Sequence, residues 1–441
     1  MPYKFYGGIH PPTFKTFTLD GPTKRAYIPA KVVIPLSQHV GSPAEPLVAI
    51  GASVNVGALI AKQTGYVSSP VHATISGKVT RIAPSPTPAL ARALSITIES
   101  KGDEDQEYRP SKRQNTESLS KEELIDIIRD AGIVGLGGAA FPTHVKLSPP
   151  KDKAIDSVIL NGVECEPYLT CDHRLMIERP KEILAGLAIM AKILDVKNTY
   201  IAIEDNKLAA IYAMEKIIKE TRDKRQETSI EVAVLKTKYP QGAEKQVIKS
   251  VLNRVVPAGG LPMDVGCIVQ NVGTALAVYE AVYLGKPLIE RAITVTGSCV
   301  KEPMNIYVRI GTLLSDIVNA FGGFKKDPAK VIFGGPMMGI AQYTMDIPVT
   351  KGTSGILFLS KDEIKKPAES VCIRCGKCIE VCPMGLVPST LMYNVKKEFF
   401  SQAKELGIAN CFECGACVYT CPAKIPLLDY MKFGKAKIPA S

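Results

Sequence analysis

Eight of the chain's twelve cysteines crowd into one stretch near the C-terminus, in two runs of identical spacing. Cys372, Cys375, Cys378 and Cys382-Pro383 form the first, and Cys411, Cys414, Cys417 and Cys421-Pro422 the second. Each reads C-x2-C-x2-C-x3-C-P, the spacing that holds two [4Fe–4S] clusters with the fourth cysteine of each run ligating the other cluster. One cluster is therefore expected on Cys372, Cys375, Cys378 and Cys421, and a second on Cys382, Cys411, Cys414 and Cys417. Three thiolates two residues apart wrap one face of a cubane, and Gly376 and Gly415 ease that wrap. Structural zinc takes four ligands, usually from paired C-x2-C halves, and suits two four-cysteine runs less well. A disulfide scaffold belongs to short exported chains, whereas this one has 441 residues and opens on Met1-Pro2-Tyr3-Lys4, without an apolar leader. Two neighbouring clusters carry single electrons and bind no substrate, so this wire needs something at each end.

A second concentration of chemistry lies upstream. Gly132-Ile-Val-Gly135-Leu136-Gly137-Gly138-Ala139-Ala140-Phe141-Pro142-Thr143-His144-Val145-Lys146 is neither a Rossmann turn nor a P-loop. Its small residues let backbone approach a flat or anionic ligand, with main-chain N–H groups and Lys146 available to a phosphate; a plain turn is equally compatible. Asn161-Gly162-Val163-Glu164-Cys165-Glu166-Pro167 follows a strand. Extended backbone puts Glu164 and Glu166 on one side, as an acid/base pair or as hydrogen-bonding partners of a ribose or amide. Cys165 and Cys171 read as buried free thiols. Lys238 to Glu244, leading into a helix, and Gln270 to Thr274, with amide and hydroxyl groups, are further candidates to close a pocket. His10 reads as a packing residue, and the methionines of Gly334 to Gly339 as packing near the clusters or a partner.

The elements that must position these groups follow from periodicity. Residues 1–30 form an irregular arm. Residues 31–100 have short β runs cut by Gly and Pro, a sandwich whose Pro70 to Val79 turn is similar to that of biotinyl/lipoyl domains. Lys78 lacks the methionine-flanked tip of a modified lysine, so no swinging arm is expected. Residues 101–119 are a polar linker. Residues 120–290 alternate helix and strand, an α/β domain whose ligands should lie beyond the carboxyl ends of parallel strands. Residues 291–359 form a small α+β, β-grasp-like domain. Residues 360–441 form a helical, two-[4Fe–4S], ferredoxin-like domain, with one helix expected between the motifs. The net charge of +11 invites a nucleic-acid reading. The basic residues are scattered, without a binding motif, and none is expected. No apolar run is long enough for a membrane span.

Taken together, Gly137 to Thr143 with Lys146, Asn161 to Pro167, Gln270 to Thr274, the tandem cysteine motifs and the N-terminal Gly7-Gly8-Ile9-His10-Pro11-Pro12 resemble the C component of the Rnf electron-transport complex, a ferredoxin:NAD oxidoreductase. A wider similarity runs to the flavin-bearing, NADH-oxidising subunit of respiratory complex I. That resemblance implies FMN contacts for Gly137, Gly138, Lys146, Asn161, Asn271 and Thr274, and places Phe141, Glu164 and Glu166 toward the nicotinamide nucleotide. The chain departs from the complex I subunit in carrying Leu136 where a basic residue is usual, and two cluster motifs instead of one.

The resemblance implies a multidomain α/β oxidoreductase that is peripheral at the cytoplasmic face of the cell membrane. It would exchange hydride between NAD(H) and FMN and single electrons with its clusters. Ion movement would belong to partner membrane and iron–sulfur subunits, through which ferredoxin is reached indirectly. A flavin is also what chemistry requires between a hydride donor and a one-electron cluster. No side chain is expected to act as nucleophile or assigned acid/base. The alternatives are a soluble NADH-dependent cobalamin reductase and a flavin-free docking subunit that only relays electrons.

Overall fold

Four strands, Ser157–Asn161, Asn198–Glu204, Ser229–Leu235 and Cys267–Asn271, pair in parallel to form the central sheet. Val158, Ile159 and Leu160 are buried without alternation, as are Ile201, Ala202 and Ile203, because helices cover both faces. Val158, Leu160, Ile201 and Ile203 face a core shared with the helices Pro180–Leu194 and Val272–Leu284. Ile159 and Ala202 face a second core with Val247 and Ile248 of the helix Glu244–Leu252. The first two helices touch backbone to backbone at Gly186, where a Cβ would lie 1.9 Å from the Ala275 carbonyl oxygen. The computed structural model describes residues 3–89, 91–102, 106–221, 229–364 and 368–438. Met1 and Pro2 of the arm, 103–105 of the linker and 439–441 of the last region lie outside the described residues.

Periodicity predicts helices over Lys121 to Asp130 and Asn206 to Glu220, and the chain forms Lys121–Asp130 and Leu208–Thr221 there. Lys121–Asp130 begins with a reciprocal Ser120–Glu123 capping box. The helix Val272–Leu284 was not anticipated. It is apolar nearly all round, so it carries no period to read; its start is set by the Asn271 carboxamide, which accepts from Gly273 N at 2.8 Å.

The N-terminal β region is a sandwich of two sheets. Lys31–Pro35, Ala93–Glu99, Gly77–Ser85 and Ser53–Val54 form one, and Glu45–Pro46, Leu59–Lys62 and Val71–His72 the other. Lys78 is the exposed second residue of its strand. The β-grasp-like region is a six-stranded sheet in the order Lys24–Arg25, Met304–Arg309, Glu290–Thr296, Gly355–Leu359, Lys330–Phe333, Ile340–Gln342. Its outermost strand comes from the N-terminal arm, pairing Lys24 with Ile306; the arm is thus more ordered than its composition implied. Between the cysteine motifs the single expected helix is two, Pro388–Lys396 and Phe400–Glu405, interrupted where Glu398 takes a left-handed φ of 60°.

Where the β-sandwich meets the segment at Gly132, His39 and His72 lie near the buried Lys351. Burial, then the Lys351 charge, holds His39 down at about 4 and His72 at about 3. These imidazoles stay neutral in the folded chain and protonate near 6.5 when it unfolds. Their contribution to stability is therefore complete above that pH and is lost progressively as pH falls toward about 4. Thermal midpoints measured from pH 7 down to 4.5 should decline, and His72→Gln should flatten the decline. An identical slope in the variant would refute this assignment.

Candidate functional site

The carboxyl ends of the central strands bring the upstream candidates together. Asn161 and Asn271 close adjacent strands and stand level in register. Asn161 donates through Nδ2 to the Gly242 carbonyl at 2.9 Å and accepts from Val163 N at 3.2 Å. Asn271 donates to Asp172 Oδ2 at 2.6 Å. Their side chains tie together the loops that follow the strands.

The glycine loop lies above this edge. Leu136 N donates to the buried Thr274 hydroxyl at 3.0 Å, so Thr274 shapes the loop from beneath. Gly137 passes so close to Asn271 that a Cβ would come within 2.6 Å of Nδ2, whereas Gly138 faces open space. Among the described residues, the amides of Gly137, Gly138 and Ala139 find no protein acceptor. A short row of free N–H groups above a polar edge suits an anionic or flat polar group, so the residues present fit a flavin phosphate or ring. Lys146, on the same side, is ion-paired with Glu244 at 2.5 Å. Phe141 holds the other limb of the loop, its carbonyl accepting from Gly135 N at 2.9 Å.

Glu164 and Glu166 turn inward. The Glu164 carboxylate accepts from Asp172 N at 2.8 Å and His173 N at 3.3 Å, at the start of the helix Cys171–Glu178. Glu166 accepts from Met337 N at 3.1 Å and Met338 N at 2.8 Å, on the glycine–methionine turn. Burial pushes the Glu166 carboxyl up to about 7 against the pull of those two amides. Lys15 from the arm, invisible to motif reading, is buried beneath this loop and donates to the Glu164, Glu166 and Leu169 carbonyls at 2.9, 3.0 and 2.5 Å. Glu164, Cys171 and Asp172 bring potential ligand atoms within 4.8 Å of one another. Their polar atoms already serve the helix start, Asn271 and the Ser354 carbonyl, which makes them an internal network.

The two cysteine motifs fold alike. Arg374 and Glu413 take left-handed φ values of 56° and 65°, and Gly376 and Gly415 follow at 76° and 77°. These repeated reversals wind each loop about a common centre. Burial raises the Cys411, Cys414 and Cys417 thiols, and the Cys382 thiol adds to all three. The fourth cysteine of the first run is thus close enough to act on the first three of the second. Cys421 packs in one cluster of side chains with Cys378 of the first run and also with Cys417 of its own. Among the described residues no three of these sulfurs come within 4.8 Å of one another.

Both motifs meet the α/β domain, the first where Gln246 Nε2 donates to the Pro383 carbonyl at 3.3 Å and the second at Tyr239. The buried Tyr239 hydroxyl donates to the Cys414 carbonyl at 2.7 Å. Ile9, Cys165 and Met337 pack around this contact, so the methionine turn does pack near a cysteine motif. Gly7 of the arm touches the Cys382 backbone, where a Cβ would meet its carbonyl oxygen at 2.7 Å. Neither Tyr239 nor the arm's role was legible from motif spacing.

Four family models match consecutive regions. They are an RnfC barrel sandwich hybrid domain over 3–103, a Nuo51 FMN-binding domain over 128–280, an SLBB domain over 292–341 and a 4Fe-4S dicluster domain over 371–425. Among solved structures, an NAD+-reducing [NiFe]-hydrogenase in the H2-reduced state shares the fold, at 18% identity and a TM-score of 0.51, over 72% of this chain and 63% of that one. The C component of the proton-translocating ferredoxin:NAD(+) oxidoreductase complex of Clostridium ljungdahlii is 50% identical over 98% of this chain and 93% of its own length. The C component of the Na(+)-translocating ferredoxin:NAD(+) oxidoreductase complex of Acetobacterium woodii is 44% identical over 99% and 97%. Its counterpart in the ion-translocating oxidoreductase complex of Rhodobacter capsulatus is 41% identical over 99% and 83%. With this identity along nearly its whole length, the chain belongs to the RnfC family, the C components of the ion-translocating ferredoxin:NAD(+) oxidoreductase complexes.

Proposed function

We propose that the chain exchanges hydride between NAD(H) and FMN and passes single electrons through two [4Fe–4S] clusters, as the peripheral electron-entry or exit subunit of a membrane ferredoxin:NAD oxidoreductase. Bound FMN supplies the conversion between a two-electron hydride and one-electron carriers. The chain's own residues bind, orient and insulate. Gly137 and Gly138 offer their free amides to the flavin, with Lys146 and Asn161 beside them, while Asn271 and Thr274 hold the loop in shape. Phe141 and the Glu164–Glu166 loop border the side given to the nicotinamide nucleotide. The two carboxylates there fix loops and are not assigned an acid/base role. Cys382, Cys411, Cys414 and Cys417 hold the inner cluster, and Cys372, Cys375, Cys378 and Cys421 the outer one.

The observation that carries this reading is the joint at Tyr239. It joins the inner cysteine loop to the segment that follows the strand Ser229–Leu235 at the carboxyl edge of the sheet, which supports a short path between flavin and cluster. The outer set faces away: Cys372 and Cys375 are exposed, flanked by Val371 and Ile373 at 84% and 64% exposure. An exposed apolar rim on a cluster loop suits docking of a partner iron–sulfur subunit, through which ferredoxin would be reached. No described helix is long and apolar enough to cross a membrane, and ion movement is assigned to membrane partners with the chain peripheral at the cytoplasmic face.

An anaerobic NADH titration, followed by absorbance and electron paramagnetic resonance after cofactor analysis, tests the reading. One FMN, about eight irons and reduction of both flavin and clusters are expected. A fully loaded sample without flavin, whose clusters ignore NADH, would refute it in favour of a relay-only subunit.

A further inference from the structure

Two buried basic side chains meet beneath the glycine loop and, among the described residues, bond only to neutral oxygen. Arg291 is 5% exposed; it donates through Nη2 to the Leu136 carbonyl at 3.1 Å, through Nε to the Ala292 carbonyl at 3.3 Å, and through Nη1 to the Lys351 carbonyl. Lys351 is 1% exposed; its Nζ donates to the Gly132 carbonyl at 2.7 Å, the Pro70 carbonyl at 2.8 Å and the Ser69 hydroxyl at 3.3 Å. The three acceptors match the three protons of an ammonium. Gly132 and Leu136 are the two ends of the loop's inner limb, so these side chains, which flank and enter the six-stranded sheet region, brace the limb at both ends. Among the described residues neither cation has a carboxylate at ion-pair distance. Asp172, whose carboxylate accepts from the neutral Asn271 amide, is an acid near Arg291 without pairing with it.

A buried charge with no counter-charge is costly, and such charges persist where something completes them. The loop itself offers little charge to an anion: Leu136 is apolar, and Lys146 is occupied by Glu244. Its amides at Gly137 to Ala139 nevertheless have no backbone acceptor among the described residues. We propose that Arg291 and Lys351 are positioning residues of the glycine loop, and that the buried positive charge of Arg291 is completed by an anionic flavin nucleotide lying over it. The inference rests on the flavin reading above. It adds that the charge favouring bound FMN, and its reduced anionic form most of all, comes from beneath the loop.

The test uses the full-length chain freed of flavin and titrated with FMN, with spectroelectrochemical measurement of the flavin midpoint potential. Iron content and the far-ultraviolet spectrum report on folding. Arg291→Gln removes the charge, and Arg291→Lys keeps it while losing the forked hydrogen bonds. Both variants should bind FMN roughly tenfold or more weakly, as expected for lost hydrogen bonds from a charged group. Only Arg291→Gln should lower the flavin potential, and Arg291→Lys should leave it at the wild-type value. If Arg291→Gln does not fold, Lys351→Gln is read in its place, for weakened FMN binding. Unchanged affinity and potential in folded variants, or equal shifts for Gln and Lys, would overturn the proposal. Failure of the wild-type chain to bind FMN would instead overturn the flavin reading and this inference with it.

Discussion

Replacing Cys382 with Ala is expected to remove the cluster of the second motif and leave that of the first. The variant should retain about four of about eight irons. It should keep the paramagnetic signal of the outer cluster and lose that of the inner one. The reason is spatial: Cys382 belongs to the first run in sequence, yet its thiol stands with Cys411, Cys414 and Cys417. With the inner cluster gone, the proposed path from the carboxyl edge to the exposed Cys372 and Cys375 loop is broken. Flavin should still be reduced by NADH in this variant, while reduction of the outer cluster in the same rapid mixing experiment should fail. Loss of the outer signal with the inner one intact would show that each run closes its own cluster, and would refute the crossed ligand sets.

The second large effect lies under the same edge and is one of stability. Lys207 and Glu204 form an ion pair at 3.0 Å with side chains 0% and 2% exposed. Glu204 also accepts from Lys238 N at 3.2 Å, at the root of the segment that presents Tyr239 to Cys414. Removing one member of a buried pair strands the other charge, at about 3–5 kcal/mol. Glu204→Ala should therefore lower the urea midpoint markedly and loosen the Tyr239 segment, seen as faster amide exchange at 236–243. Replacing both residues, as Glu204→Leu with Lys207→Met, should recover much of the stability, because a well-packed apolar pair avoids the cost of desolvation. A loss below about 1 kcal/mol in Glu204→Ala would place the pair among weakly coupled surface ions, contrary to its burial.

The N-terminal arm shows why local pattern understated one part of the fold. Residues 1–30 have no period of their own, because each short piece is ordered by a different remote partner. Ile9 bridges to Tyr239, Lys15 enters the Glu164 loop, and Lys24–Arg25 extends a sheet built from residues near 300. The helix Val272–Leu284 is the converse case, fully ordered yet unreadable, since an element buried on every side shows no amphipathic stripe.

What the sequence determined alone was the chemistry that depends on covalent spacing. Eight cysteines at fixed intervals, a run of glycine and alanine, and acid and amide groups at strand ends are properties of consecutive residues. The alternation of strand and helix likewise fixed an α/β domain and the edge on which a ligand would lie. The tertiary structure decided how these parts face one another. It turned Glu164 and Glu166 inward to cap backbone amides, paired Lys146 with Glu244, and set Tyr239 against Cys414. It also carried Arg291 and Lys351 beneath a loop more than 150 residues away in the case of Arg291. Such contacts leave no local signature, because a buried cation bonded to carbonyls is specified by packing from several domains at once, not by the identity of its neighbours in the chain.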